Sequence, residues 1–303
     1  MNKKKVLITG GTGMIGRAIT KLFLENGFEV AWLTRKLDPR VQFEQFIWDP
    51  ENDSIDLQCF ENIYGIIHLA GASLATKRWT SSYKKIIYQS RVKSTRLLVD
   101  SIHLVKSKPE VLISTSAIGI YGNRPDETVD ENTSVNPTHF LSKVCFDWEK
   151  EVTNLDPEIR SCIVRIGLVL SNEDGLYAKM KWPAMFHIAS RLGDGTQMYS
   201  WIHIQDLARI FLWLIQNETS QGIYNATSPK AVSQWQFSKS SIPGKLRWSI
   251  PVIVPEFFLR IVLGEFAHSF YESADIKPNR LIKENFLFHY KTLEQAILNL
   301  ERK

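Results

Sequence analysis

The sequence predicts an α/β fold, a doubly wound parallel sheet with a smaller C-terminal lobe. Three observations carry that expectation. Short β-branched runs alternate with helical patterns through the first 170 residues, as in βαβ units. A glycine-spaced turn joins the first of those runs to the first helical pattern. The composition, 44% hydrophobic and 23% charged over 303 residues, is that of a globular chain long enough to bury a core.

Lys5–Thr9 is the first candidate strand and Met14–Asn26 the first helix. Glu29–Leu33, Phe43–Trp48 and Gly65–Leu69 follow as strands. Tyr83–Ile102 reads as a helix because Ile86, Ile87, Val92, Leu97, Leu98, Val99 and Ile102 recur at helical spacing. Val111–Ser114 and Ser161–Arg165 are the next strands. Beyond Arg165 the alternation loosens and Gly, Pro and Trp become frequent, with helices expected at Ile204–Gln216, Glu256–Gly264 and Leu293–Leu300. We expect residues 1–170 to form one domain, to which later segments return, and residues 171–303 to form the smaller lobe.

Charge and residue usage exclude several function classes. Lys and Arg exceed Asp and Glu by 5, and the surplus is spread along the chain. Such a surface attracts phosphorylated small molecules, and the nine scattered tryptophans do not interleave with a basic stripe as nucleic-acid binding would require. Cys59, Cys145 and Cys162 make no CxxC pair, which fits a reducing, cytoplasmic setting. The seven histidines show neither HxH nor HExxH, so no metal site is expected. Lys3-Lys4-Lys5 precedes too short an apolar run for a secretory signal. The stretch Ile250–Leu263 is broken by Pro251, Pro255, Glu256 and Arg260, short of the roughly 20 residues of a membrane span.

Gly10, Gly13 and Gly16 give G-x-x-G-x-x-G between a strand and a helix. In that context the first glycine permits the tight turn, the second admits a pyrophosphate to the backbone, and the third allows close packing. Thr12, Met14 and Ile15 complete the cradle, and the helix N-terminus faces the phosphates with free N–H groups. The domain is therefore expected to be of Rossmann type. The second strand ends in Thr34-Arg35-Lys36, where an NAD site would place a carboxylate on the ribose. Arg35 and Lys36 suit a 2′-phosphate, which points to NADP(H), with Arg17 as a possible helper. Asp49 is placed either to accept from an adenine amino group or to cap the turn before Pro50.

The order TGGTGMIG, HLAGAS (68–73), STSAIGIYG (114–122), RIGLVL (165–170) and WIHIQD (201–206) resembles the extended short-chain dehydrogenase/reductase superfamily. Lys77-Arg78-Trp79, Ser90-Arg91-Val92, Thr95-Arg96-Leu97-Leu98, the run from Phe140 to Glu149 and Pro278-x-Arg280-Leu281 resemble one atypical branch. Its members are nucleoside-diphosphate-sugar epimerase-like and carry a short C-terminal domain, here about residues 245–293. The resemblance spans nearly the whole chain. It implies that Leu69, Ala70 and Gly71 border the cofactor, that Ser114, Thr115 and Ser116 lie near the nicotinamide, and that Lys77 and Arg78 reach a phosphate unless they form a solvated basic loop.

The superfamily's acid–base pair is Tyr-x-x-x-Lys, and here that place reads Phe140-Leu141-Ser142-Lys143-Val144. Val144 keeps a place on the cofactor wall but cannot lower a pKa. A one-residue slip would pair His139 with Lys143, at the cost of rotating the helix by about 100°. Ser116 and Tyr121 remain as candidates for polarising a substrate oxygen, against plain strand-end bonding and wall packing. In the second lobe Lys179, Lys181, Arg191 and Arg209, with Tyr199, Trp182 and Trp201, could hold a nucleotide diphosphate or form a solvated edge over an aromatic core.

Two function classes follow. One is an NADP(H)-dependent oxidoreductase or epimerase acting on a nucleotide-sugar or a similar carbonyl or carbinol compound. The other is an NADP(H)-binding protein with little catalysis that signals cofactor state to a partner. The expected partner is a small-molecule substrate, without nucleic acid or membrane, in a monomer or a homodimer.

Overall fold

A computed structural model of the chain describes residues 3–242 and 249–302. Strand β1 (Lys5–Thr9) leads through the glycine turn into α1 (Met14–Glu25), then β2 (Glu29–Thr34), β3 (Gln45–Asp49) and the short β4 (Ser54–Ile55). Next come β5 (Ile63–His68), α2 (Ser81–Leu104), β6 (Val111–Ala117), β7 (Arg124–Val129), α3 (Phe140–Val152), β8 (Arg160–Ile166) and β9 (Leu168–Leu170). The later chain runs through α4 (Gly175–Met185), β10 (Ile188–Leu192), β11 (Met198–Tyr199), β12 (Trp201–His203), α5 (Ile204–Gln216), β13 (Gly222–Ala226) and β14 (Val232–Ser233). It ends with α6 (Gln234–Ser240), β15 (Ile250–Val254), α7 (Glu256–Leu263), β16 (Ala274–Ile276), α8 (Asn279–Lys283) and α9 (Leu293–Glu301).

Eight strands form one sheet in the order β13-β8-β6-β5-β1-β2-β3-β4, parallel except for the last pair. The order reverses at β1, between β5 and β2, which opens a crevice at the carboxyl ends of β1 and β5. Alternation along β1 builds the layers on both sides. Val6 and Ile8 pack with Ile19 and Phe23 of α1 and Phe211 and Leu214 of α5, whereas Leu7 packs with Leu98 and Val99 of α2 and Val152 of α3. Each such side chain contributes about 1.5–3 kcal/mol on burial.

A third cluster joins Leu170, Tyr177, Trp201, Phe237, Leu293 and Ile297 and forms the core of the smaller lobe. Strand β13 pairs in parallel with β8, and α5 covers the same face as α1, so chain beyond residue 170 contributes to the large sheet. The third strand begins at Gln45, later than expected, since its pairing with β2 starts at Trp32 opposite Gln45, and the preceding Phe43 ring packs edge-on to Trp32 at 4.9 Å. The first residues expected in the short C-terminal domain, 245–248, lie outside the described residues. Among the described residues no helix is long and apolar enough to cross a membrane.

Candidate cofactor and active site

Backbone crowding explains the glycine spacing. Gly10 has φ +67°, and a Cβ there would lie 3.0 Å from the Leu69 carbonyl. A Cβ on Gly16 would come within 2.4 Å of Gly10 O, so this position can only be glycine if α1 is to approach the turn. Gly13 is different: it is the N-cap of α1, in extended conformation, and a Cβ would meet only Gly10 O at 3.3 Å. The second glycine is thus the least crowded of the three. Gly11, which the sequence left without a role, backs onto the Trp32 indole, whose Nε1 donates to Thr20 Oγ1 at 2.9 Å.

The crevice holds a cavity of about 490 Å³ over this turn. Gly10, Thr12, Gly13, Arg35, Leu69, Ala70 and Gly71, all named in the sequence reading, line it together. Met14 and Ile15 open α1 half-buried, and Ile15 packs against the core. A second concavity of about 480 Å³ is bordered by Thr12, Thr34, Arg35, Lys36 and Arg40. Arg35 and Lys36 are exposed and make no ion pair among the described residues, whereas Arg40 is held by Asp38 at 2.7 Å. That pairing lowers the Asp38 carboxyl to about 2. Arg17 turns away from this group, donating to Thr12 O and to Glu173 at 2.8 Å.

Asp49 takes the capping alternative. Its two oxygens accept from Glu51 N at 3.0 Å and Asn52 Nδ2 at 2.7 Å, leaving Trp48, Pro50 and Glu51 to line the cavity. The far wall comes from α2, through Gln89, Ser90, Lys93 and Ser94, which sequence reasoning missed as site residues. Ser90 Oγ accepts from Ala72 N at 2.9 Å, and Lys93 Nζ donates to Glu51 O at 2.8 Å, so α2 fastens both flanking loops. Only the polar stripe Ser90, Lys93, Ser94 in an otherwise apolar pattern signals that role.

A buried relay fixes the crevice itself. Thr9 Oγ1 accepts from Leu69 N at 3.0 Å and Ala70 N at 3.1 Å, and bonds His68 Nδ1 at 2.8 Å. His68 Nε2 meets Thr95 Oγ1 at 2.9 Å, while that hydroxyl donates to Arg91 O at 2.7 Å. Thr95 has spent its proton, so Nε2 carries the hydrogen and Nδ1 accepts from Thr9. The ring is neutral, and burial lowers its pKa to about 3.

The carboxyl ends of β6 and β8 carry a second buried network. Ser116, 3% exposed, donates to Glu149 Oε1 at 2.6 Å. Arg165 grips Glu149 with two bonds of 2.9 and 2.8 Å and donates to Tyr121 Oη at 2.8 Å. Tyr121, 2% exposed, donates in turn to Asn225 Oδ1 at 2.8 Å. Burial raises the Tyr121 pKa against the opposing pull of Arg165. Both candidate hydroxyls therefore have their protons engaged inside the protein. Ser114 is fully buried at the same strand end, and Thr115 Oγ1 donates to His68 O at 3.0 Å.

Helix α3 adopts the register with Val144 inward, 1% exposed, and His139 and Lys143 outward. Phe140 packs edge-on to Trp79 with ring centres 5.4 Å apart, beneath Lys84 Nζ at 4.7 Å. The slipped pairing of His139 with Lys143 is not formed. Ser142 fixes the start of the helix, its Oγ accepting from His139 N at 3.0 Å. Arg78 is exposed on the loop after β5, outside the cavity lining, with its stem beside Gly264.

In the smaller lobe the aromatic–cation group does not assemble. Trp201 is core, donating to Lys230 O at 3.0 Å, and Tyr199 is buried, donating to Phe270 O at 2.8 Å. Arg209 pairs with the fully buried Asp206, which also accepts from His289 N and Tyr290 N and so anchors the C-terminal segment to α5.

The same architecture recurs in known proteins. Residues 6–227 match the NAD dependent epimerase/dehydratase family, and residues 254–300 match a domain of unknown function, DUF1731. An epimerase family protein of Staphylococcus saprophyticus is 36% identical, covering 98% of this chain and 99% of that protein. The crystal structure of the human epimerase family protein SDR39U1 with NADPH superposes with a TM-score of 0.88 at 25% identity, covering 98% of this chain and 99% of that one. A nucleoside-diphosphate sugar epimerase from Corynebacterium glutamicum superposes at 0.79 with 28% identity, over 100% of this chain and 59% of that chain. With its glycine turn, its crevice at the strand reversal and a family match over more than two thirds of its length, the chain belongs to the NAD dependent epimerase/dehydratase family.

Proposed function

We propose that the chain binds NADP(H) along the crevice and uses it to interconvert a carbinol and a carbonyl compound. The observation that carries this reading is a pair of adjoining concavities that share Thr12, Thr34 and Arg35. The first reaches Gly13, and Arg35 is a cation with no ion pair among the described residues. On this reading Gly10, Thr12, Gly13, Met14, Ile15 and Gly16 cradle the pyrophosphate, and Arg35 and Lys36 take the 2′-phosphate. Leu69, Ala70, Gly71, Ser114 and Val144 border the nicotinamide half. The cofactor, when bound, supplies the hydride acceptor or donor. Ser116 and Tyr121 act as positioning residues, since both donate into the Glu149–Arg165–Asn225 network.

That commitment favours one alternative, a cofactor-binding protein with little turnover, because Phe140 and Val144 offer no proton at the family's acid–base position. Calorimetric titration tests the cofactor assignment. NADPH should bind the parent chain, and Gly13→Val, whose side chain would fill the phosphate space without meeting more than Gly10 O, should stay folded and lose binding. Unchanged NADPH affinity in a folded Gly13→Val would overturn the reading.

A further inference from the structure

We propose that the substrate side of this cleft takes an anionic amphiphile, a carbonyl or carbinol compound with an acidic head and a long apolar body, rather than a sugar nucleotide. This rests on the assignment of the adjoining cavity to NADP(H). The loop that lines the cavity at Leu69–Ala72 continues to Trp79 as its lip, and two helices flank it. Lys179 of α4 reaches Ala75 O at 3.4 Å, and Leu263 O of α7 accepts from Trp79 N at 3.2 Å.

The face of α4 that meets the lip carries Lys179 and Trp182, three residues apart and so on one side of the helix axis. Trp182 is 72% exposed, and Phe186, in the turn just past the helix, is 58% exposed, with ring centres 5.4 Å apart. His187 O accepts from Ile250 N at 2.8 Å, and β15 carries Ile250, Val252 and Ile253 exposed into α7, where Phe257, Phe258 and Ile261 share the outer face. A monomer leaves a contiguous apolar patch of this kind in water only where something covers it. Beneath the lip, Leu74, Phe140 and Leu141 pack against the buried Trp79, Tyr83 and Ile87.

Charge selects the occupant. Lys77, Arg78, Lys179 and Lys181 stand on the lip and α4, and none has a carboxylate partner among the described residues. An apolar surface rimmed by unpaired cations fits an apolar chain ending in a phosphate or carboxylate.

The test uses the full-length chain with saturating NADPH and dodecyl phosphate below its micellar concentration, read by calorimetry and Trp fluorescence. Dodecyl phosphate should bind, butyl phosphate at least tenfold more weakly, and UDP-glucose not at all. Trp182→Ser with Phe186→Ser, and separately Lys179→Glu, should each weaken dodecyl phosphate about tenfold while NADPH affinity stays the same. Equal binding in parent and variants would mean unspecific detergent adsorption and overturn the proposal. Binding of UDP-glucose in place of dodecyl phosphate would do so as well. Sedimentation with phosphatidylglycerol vesicles without binding of the free amphiphile would identify a membrane contact and also contradict it. If NADPH fails to bind but the apo chain takes dodecyl phosphate with the same variant losses, the cofactor assignment falls and the amphiphile site stands.

Discussion

His68 shows how one side chain ties the crevice to pH. Its folded pKa of about 3 lies below the roughly 6.5 of an unfolded histidine, so only the unfolded chain takes up that proton between the two values. The contribution is complete above about pH 6.5 and is lost as pH falls toward 3, at about 1.4 kcal/mol per pH unit. Urea unfolding at pH 7.5 and pH 5.0 should show this slope in the parent and a smaller one in His68→Asn. Identical pH dependence in the two would mean that the ring is not buried neutral. The glycines separate in the same way. Gly16→Ala should destabilise the turn, because its Cβ would lie 2.4 Å from Gly10 O, whereas Gly13→Val, whose Cβ meets only Gly10 O at 3.3 Å, should lower the melting temperature less. Spacing and context made these roles legible in the sequence. The relay Thr9–His68–Thr95 was not, since its members come from β1, β5 and α2 and meet only when the sheet forms.

Among the elements, α3 carries the chemistry that the sequence could only leave open. Its register follows from burial of Val144, Cys145, Trp148 and Glu149 along one face, which a slip to His139 and Lys143 would have exposed. His139→Ala should therefore leave any turnover and its pH profile unchanged. Loss of a limb near pH 6–7, the range of an imidazole, would contradict that register. Glu149 joins this helix to β6 and β8, and Glu149→Ala would strand the buried Arg165. The expected cost is about 3–5 kcal/mol in chemical denaturation, against about 1 kcal/mol for Ser116→Ala, which leaves both Arg165 bonds in place. Equal costs would mean that the pair is not the anchor of the network. No spacing rule joins residues 116, 121, 149, 165 and 225, which is why the sequence left Ser116 and Tyr121 open between a substrate contact and internal bonding.

Across the whole molecule, the strands nearest the glycine turn were the most legible, because each is bounded by local punctuation. Lys5–Thr9 matches the first strand end to end. The pairing of β7 with β16 and of β13 with β8 depends on segments far apart in the chain, and so neither could be read from periodicity. The charge pattern at the end of β2 belongs to this scale too, since on the proposed reading it selects the cofactor. Arg35 and Lys36 make no ion pair among the described residues, whereas Arg40 is neutralised by Asp38. The central claim is tested most directly by titrating NADPH and NADH into the parent chain by calorimetry. A charge-assisted pair to the 2′-phosphate should favour NADPH by about 1.5–3 kcal/mol, and Arg35→Asp should remove that preference. Equal affinities for the two cofactors in the parent chain would contradict it.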